Sequence, residues 1–415
     1  MEDQAEHKKG EEEKKAIPTT KTKRRRGFGI EQAKWNYPTI SGGPTSEDVF
    51  ARIAEALASS SYLLLTSGAG MGADAGLSTF ASMVPLVLEG GESVSYTELC
   101  QPKWLKQDPE VFYGFFGSNF NLYRGTPLHE GYEIVRRWSS ELFPDPGTRT
   151  KGGTGGEAET PPKCFVVTSN VDGHYRRAGF SHVRELHGSY DKWQCSTPCK
   201  QATWKVPLDF VFEVDKECVR ARDRAGMGRK LFTKYIKREY QKHNGFVSNH
   251  PRCPHCGAPS RPSILMFGDG QFVIRREEDA RWQAWRNAML EDLKQHQDKR
   301  LVVLEIGAGV RITRVRNLGE MLVQTLGPGQ CDLVRINLDG PAQGAICSPT
   351  VALKDSGLHA LQCIDRHLHR LLHPTDHNSV ATSLSGSNTV PETLSHSSES
   401  ATVSVTPSLS ASSTN

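Results

Sequence analysis

Apolar and polar positions change rhythm several times along the chain, and the changes mark out its elements. Thr45 and Asp48 make a capping-box start for a helix expected to run to about Ser59. Next comes Tyr62-Leu63-Leu64-Leu65-Thr66, a short unbroken apolar run of the kind that forms strands buried on both faces of a parallel sheet. Comparable runs recur at Cys164–Thr168, Ser263–Phe267, Leu301–Ile306 and Asp332–Leu338. Helical stretches separate several of them, notably 274–296 and 313–325. Alternation of this sort predicts an α/β fold built on a doubly wound parallel sheet.

Several segments break the pattern. Residues 1–30 are dense in charge and poor in apolar side chains, so a disordered tail is expected there. Within it, Lys21-Thr22-Lys23-Arg24-Arg25-Arg26 suits a nuclear import signal, a phosphate-binding arm or simply a solvated tail. From 374 to 415 the chain is dominated by Ser, Thr and Asn, which predicts a second disordered tail. Residues 144–162, rich in Gly, Pro and Thr, read as an exposed loop. The 200–250 stretch is basic, and in Arg229–His243 the apolar Leu231, Phe232, Tyr235 and Ile236 share one helical face. That helix either packs through this face with its charges in water, or presents them to an acidic or nucleic-acid partner.

Composition narrows the field. A chain of 415 residues has room for two domains plus tails, and a net charge of +4 is too small to argue for nucleic-acid binding by itself. No apolar run approaches the roughly 20 residues that span a bilayer, so no membrane partner is expected. The ten cysteines are spread along the chain, and Met1-Glu2-Asp3 opens it without the apolar core of a signal peptide. The expectation is a reduced, intracellular compartment, nuclear or cytoplasmic.

Four of those cysteines form two pairs, Cys195-x3-Cys199 and Cys253-x2-Cys256. Four thiolates saturate a tetrahedral zinc ion and leave no position for water, so such a metal holds structure rather than doing chemistry. Cys218 and His255 are competing ligands, but the Pro254-His255-Cys256-Gly257 run resembles a zinc knuckle and favours the four-cysteine set. Cys100, Cys164, Cys331, Cys347 and Cys363 carry no spacing signal and read as core or incidental. Chemistry is sought beside the pairs, where His187 stands in Glu185-Leu186-His187-Gly188. An imidazole with a reference pKa of about 6.5 suits a general base near neutral pH.

A glycine-rich loop, Ser67-Gly68-Ala69-Gly70-Met71-Gly72-Ala73, directly follows the first strand. Glycines there let the backbone turn tightly and approach a pyrophosphate. Gly68, Gly70 and Ala73, with Glu89 further on, also satisfy an ordinary dehydrogenase fingerprint, but Gly76, Ser78 and Thr79 would break the long helix it requires. Asn170 and Asp172 follow the second strand, where a carboxamide and a carboxylate can meet ribose hydroxyls and an amide. Gly307-Ala308-Gly309 and Asn337 end the later strands. Each alone could be a turn; four groups at one sheet edge point to a nucleotide site.

Gly68-Ala69-Gly70-Met71, Asn170-Val171-Asp172, Glu185-Leu186-His187-Gly188, the cysteine pairs, Arg261-Pro262, Phe267-Gly268-Asp269 and Ile336-Asn337 occur in the order that resembles the sirtuin family, over roughly residues 45–372. The resemblance implies a catalytic domain over 31–373, with a Rossmann-like part at 45–190 and 260–372. A zinc module would occupy about 191–259, carrying the basic insert at 200–250. It implies an NAD-dependent protein lysine deacylase (deacetylase) that releases nicotinamide and O-acyl-ADP-ribose, with an acylated-lysine protein as partner. Gly68, Ala69, Gly70 and Met71 would cradle the NAD phosphates, Asn170 and Asp172 would hold the ribose and nicotinamide, and Gly307, Ala308 and Asn337 the adenosine half. His187 would act as base on the ribose hydroxyls, with Asn170 beside it.

The chain departs from the family's pattern at Gly72, usually serine, at Ser169, usually glutamine, and at Thr79-Phe80-Ala81, usually Asp-Phe-Arg. The missing arginine leaves two alternatives open: an ADP-ribosyltransferase or NAD glycohydrolase on the same fold, or a catalytically weak NAD-binding module.

Overall fold

A computed structural model describes residues 46–79, 86–88, 91–145, 161–215, 217–223 and 241–374. The Thr45 cap, Lys21–Arg26, Ala81, Glu89, most of the 144–162 loop, most of Arg229–His243 and nearly all of both expected tails lie outside them. The strands are β1 (Tyr62–Ser67), β2 (Leu86–Val87), β3 (Ser93–Val94), β4 (Cys164–Thr168), β5 (Val183–Glu185), β6 (Gly188–Cys195), β7 (Thr203–Lys205), β8 (Ser260–Ile264), β9 (Leu301–Ile306), β10 (Cys331–Ile336) and β11 (Val351–Leu353). Six of them form a parallel sheet in the order β11-β10-β9-β1-β4-β5.

The unbroken apolar strands are explained by cover on both faces. Alternate residues Leu63, Leu65, Val166, Val302, Leu304 and Val334 pack under the helices Ser46–Ser59, Glu130–Glu141 and Gly357–Leu372. Their neighbours Leu64, Phe165, Val167, Val303 and Leu333 face Trp282, Trp285, Met289 and Leu293 of the Arg276–Gln295 helix, and Leu322 of Arg314–Leu326. Each fully buried aliphatic side chain contributes roughly 1.5–3 kcal/mol. The sheet is therefore doubly wound, with a crevice at the carboxyl ends of its central strands.

One expectation is corrected. Ser263–Phe267 is not a parallel strand: the strand covers Ser260–Ile264 and pairs antiparallel with β6 in a three-stranded sheet ordered β7-β6-β8. Its buried run cannot distinguish the two sheets, because both are covered. The Pro109–Gly125 helix, absent from the sequence reading, supplies the cover: Phe112 and Phe116 pack with Trp193 of β6, and the Tyr113 hydroxyl donates to the Ser260 carbonyl at 2.7 Å.

One polar cluster lies inside the apolar architecture. Arg335 of β10 sits beside Glu305, its register partner on β9, and donates to Glu320 at 2.8 Å; all three are fully buried. Burial opposes the Arg335 charge, but hydrogen bonds to Glu305 and Glu320 outweigh it and hold its pKa above the usual value. Glu320 also accepts the Ala345 and Ile346 amides, at 3.0 and 2.7 Å, so the network clamps the loop after β10. Arg335→Met strands two buried carboxylates and should lower the unfolding free energy by about 3–5 kcal/mol. A shift in denaturant midpoint worth less than about 1 kcal/mol would refute that role.

Candidate functional site

The segments that follow β1, β4, β5, β9 and β10 converge on a cavity of about 440 Å³. The turns after β1 and β9 touch through their backbones. A Cβ on Gly70 would lie 2.6 Å from the Gly307 Cα, and one on Gly307, at φ +62°, would lie 2.4 Å from Gly70. Glycine is required on both sides of this contact. Gly68 and Gly70 donate their amides to the Ile306 and Gly307 carbonyls at 3.0 Å, Met71 donates to Gly68 at 3.0 Å, and Gly72 to Ala69 at 3.1 Å. These amides therefore serve the turn itself. The helix that follows lasts only from Gly70 to Ala73, as the breakers after it predict.

The other strand ends are tied to these turns. Asn170 donates its amide to the Gly68 carbonyl at 3.0 Å, and Asn337 donates to the Ala308 carbonyl at 2.6 Å. Asn337 Oδ1 also accepts the Asp339 amide at 3.2 Å. Gly68, Ala69, Gly70, Asn170, Asp172, His187, Gly307 and Asn337 all line the cavity. Met71 and Ala308, expected to bind the cofactor, are buried in the interior and are not among the lining residues. Asp172 Oδ1 accepts the His174 amide at 2.8 Å, and burial lifts its carboxyl to about 6. Near neutral pH a fraction of that group is protonated and can donate as well as accept.

His187 stands between β5 and β6, its carbonyl accepting the Leu265 amide at 2.9 Å. The next residue, Gly188, has φ +90°, and a Cβ there would lie 2.0 Å from the Ser263 carbonyl oxygen. His187 Nδ1 lies 3.1 Å from the Ser169 carbonyl. A carbonyl only accepts, so the proton is on Nδ1, and the neutral ring carries its lone pair on Nε2. Burial first and the Arg314 charge second push the His187 pKa below its usual value, against the pull of the Ser169 bond. The imidazole is therefore a neutral proton acceptor at physiological pH.

Sequence reasoning missed other lining groups. Tyr123 comes from the unread Pro109–Gly125 helix. Cys100, expected to be core or incidental, lines the cavity, with its thiol pushed up to about 12 by burial. Phe267 is held there by a bond from its amide to the Cys100 carbonyl at 3.0 Å and by the buried Arg261–Asp269 pair at 2.6 Å. Arg311 lies two residues past Gly309, a spacing that could have flagged it.

At the far end of β6, Cys195, Cys199, Cys253 and Cys256 place their sulfurs within 4.8 Å of one another. The Cys195–Cys256 and Cys199–Cys253 separations are 3.6 and 3.7 Å. Tetrahedral zinc with bonds of about 2.3 Å puts sulfurs about 3.8 Å apart, so the set fits that ion. Among the described residues, neither Cys218 nor His255 joins the cluster.

In an NMR titration, His187 should show a midpoint below about 6.5, and Arg314→Gln should raise it by removing a cation that opposes the imidazolium. A midpoint that ignores the substitution would show that Arg314 does not act on the ring.

The model of the Sir2 family matches residues 158–276. A probable bifunctional ADP-ribose hydrolase/ADP-ribosyltransferase of Fusarium oxysporum f. sp. cubense is 24% identical over 69% of this chain and 42% of its own length. The chain thus spans less than half of that relative. An NAD-dependent protein deacylase of Pyrococcus abyssi is 23% identical over 55% of this chain and 69% of its own. A solved Sir2 homologue mutant in complex with ADP-ribose is 18% identical at a TM-score of 0.49, covering 77% of this chain and 97% of that one. The ordered motifs, the family match over residues 158–276 and the relatives at 23–24% identity make this chain similar to the Sir2 family, the sirtuins.

Proposed function

We propose that the chain is an NAD-dependent protein lysine deacylase that transfers the acyl group to ADP-ribose and releases nicotinamide. The observation that carries this reading is His187: a neutral base fixed by the Ser169 carbonyl on the wall of a cavity whose floor is two interlocked glycine turns. The donor set fits a dinucleotide. The Gly68–Gly70 and Gly307 turns, which carry no bulky side chain, would leave room for its middle, with Asn337 on the adenosine side and Asn170 with Asp172 at the nicotinamide ribose. NAD, when bound, supplies a ribose carbon whose bond to nicotinamide can break. The part of this chain in the reaction is to orient that ribose, to accept its hydroxyl proton at His187 Nε2 and to exclude water behind Ile264, Leu265 and Phe267. The acylated lysine of a partner protein would enter beside these apolar groups.

ADP-ribosyl transfer or NAD hydrolysis is the second reading. It draws support from Ala81, which stands where the family usually carries arginine, and from the Fusarium relative's name. A cysteine-bound zinc ion would be structural under either reading, because four thiolates fill its coordination sphere.

Nicotinamide release from NAD, measured with and without acyl-lysine peptides, separates the readings. Release should require peptide, and His187→Ala should cut it by about 10²–10⁴-fold. Release indifferent to peptide would favour the second reading, and no release would sink both. One zinc per chain is expected by elemental analysis, and Cys253→Ser should abolish it and lower the melting temperature. Wild-type protein without zinc would refute the metal site.

A further inference from the structure

The cavity poses a charge problem if, as proposed above, it takes a dinucleotide. A diphosphate brings two negative charges, yet the glycine-turn amides of Gly68, Gly70, Met71 and Gly72 are already bonded to carbonyls. The turn's helix is one turn long and offers no field of its own. Two carboxylates line the cavity, Asp172 and Asp339. The segment Phe80–Pro85, which continues the first turn, contains no Lys or Arg, so it cannot supply a cation in any conformation.

Among the described lining residues, Arg311 is the single Lys or Arg. It projects from the exposed loop Gly309–Ile312, directly after the β9 turn that locks onto Gly70. Among the described residues its guanidinium has neither a hydrogen-bond nor an ion-pair partner. By contrast Arg316, five residues on, is buried and spends its donors on the carbonyls of Ala308, Gly340 and Gln343 at 2.8–3.0 Å, which fixes the loop that Arg311 stands on.

We propose that Arg311 is the diphosphate-binding residue of this site, so that the cation comes from the β9 side of the crevice rather than from the loop after β1. A planar guanidinium suits two phosphate oxygens at once, which an ammonium does not match. The inference rests on the dinucleotide reading and adds a specificity determinant to it: ligands with a diphosphate are favoured over neutral nucleosides.

The test is calorimetric titration of the full chain with ADP-ribose at several salt concentrations, comparing wild type, Arg311→Gln and Arg311→Lys. Arg311→Gln should weaken binding about tenfold or more at low salt and flatten the dependence of affinity on salt. Arg311→Lys should keep the wild-type salt slope while recovering only part of the affinity. Arg311→Gln binding within twofold of wild type, or with an unchanged salt slope, would overturn the assignment while leaving the dinucleotide reading intact. Wild-type protein that fails to bind ADP-ribose would overturn both.

Discussion

The backbone contact between Gly70 and Gly307 organises the rest of the site. β1 and β9 are neighbours in register, with Ser67 opposite Ile306, so their carboxyl ends arrive at the same level. Two turns can then meet face to face only if neither carries a Cβ. Once they meet, the carbonyls of Gly68 and Ala308 accept the side-chain amides of Asn170 and Asn337. Two glycines thus fix the ends of four strands. The carboxamides hold the walls as well as lining them, so replacing either one perturbs the cavity as well as any ligand contact.

The second constraint is electrostatic. The central strands bury every side chain, yet one edge of the sheet must stay polar. The chain separates the two demands by depth. Glu305, Arg335, Glu320 and Arg316 form a compensated cluster within the fold, holding the loops after β9 and β10. The groups at the mouth are left less compensated: Asp172 is lifted toward neutrality, His187 is held neutral, and Arg311 stands alone among the described residues. Incomplete pairing of this kind suits a site whose own charges are balanced only when a ligand arrives.

Much of this was legible in the sequence because backbone requirements restrict residue choice. β1, β4, β9 and β10 announced themselves as short, mainly apolar runs, and the breakers at Gly76, Ser78 and Thr79 matched a helix that stops at Ala73. The cysteine spacing picked out the four sulfurs that gather. Other features left no readable trace. β8 looked like its parallel counterparts because burial on two faces erases the alternation that would betray an antiparallel strand. The Pro109–Gly125 helix is aromatic on nearly every side and interrupted by Gly114 and Gly117, so it lacks a clear amphipathic period, and Tyr123 went unnoticed with it. The pairing of Glu305 with Arg335 across adjacent strands was not legible, because register is not written in either strand alone.

The small sheet shows why the histidine and the cysteines sit so close in sequence. β6 begins one residue after His187 and ends at Cys195. Its start is pressed against Ser263 and Ile264, where only glycine fits, and its end is held by a cluster of four sulfurs. An eight-residue strand fixed at both ends has little freedom to slide, because a one-residue slip would turn Trp193 out of its core and carry His187 away from the Ser169 carbonyl. The imidazole's tautomer depends on that carbonyl. The cysteine cluster, although about as far from the cavity as the strand is long, therefore bears on the placement of His187 through register alone.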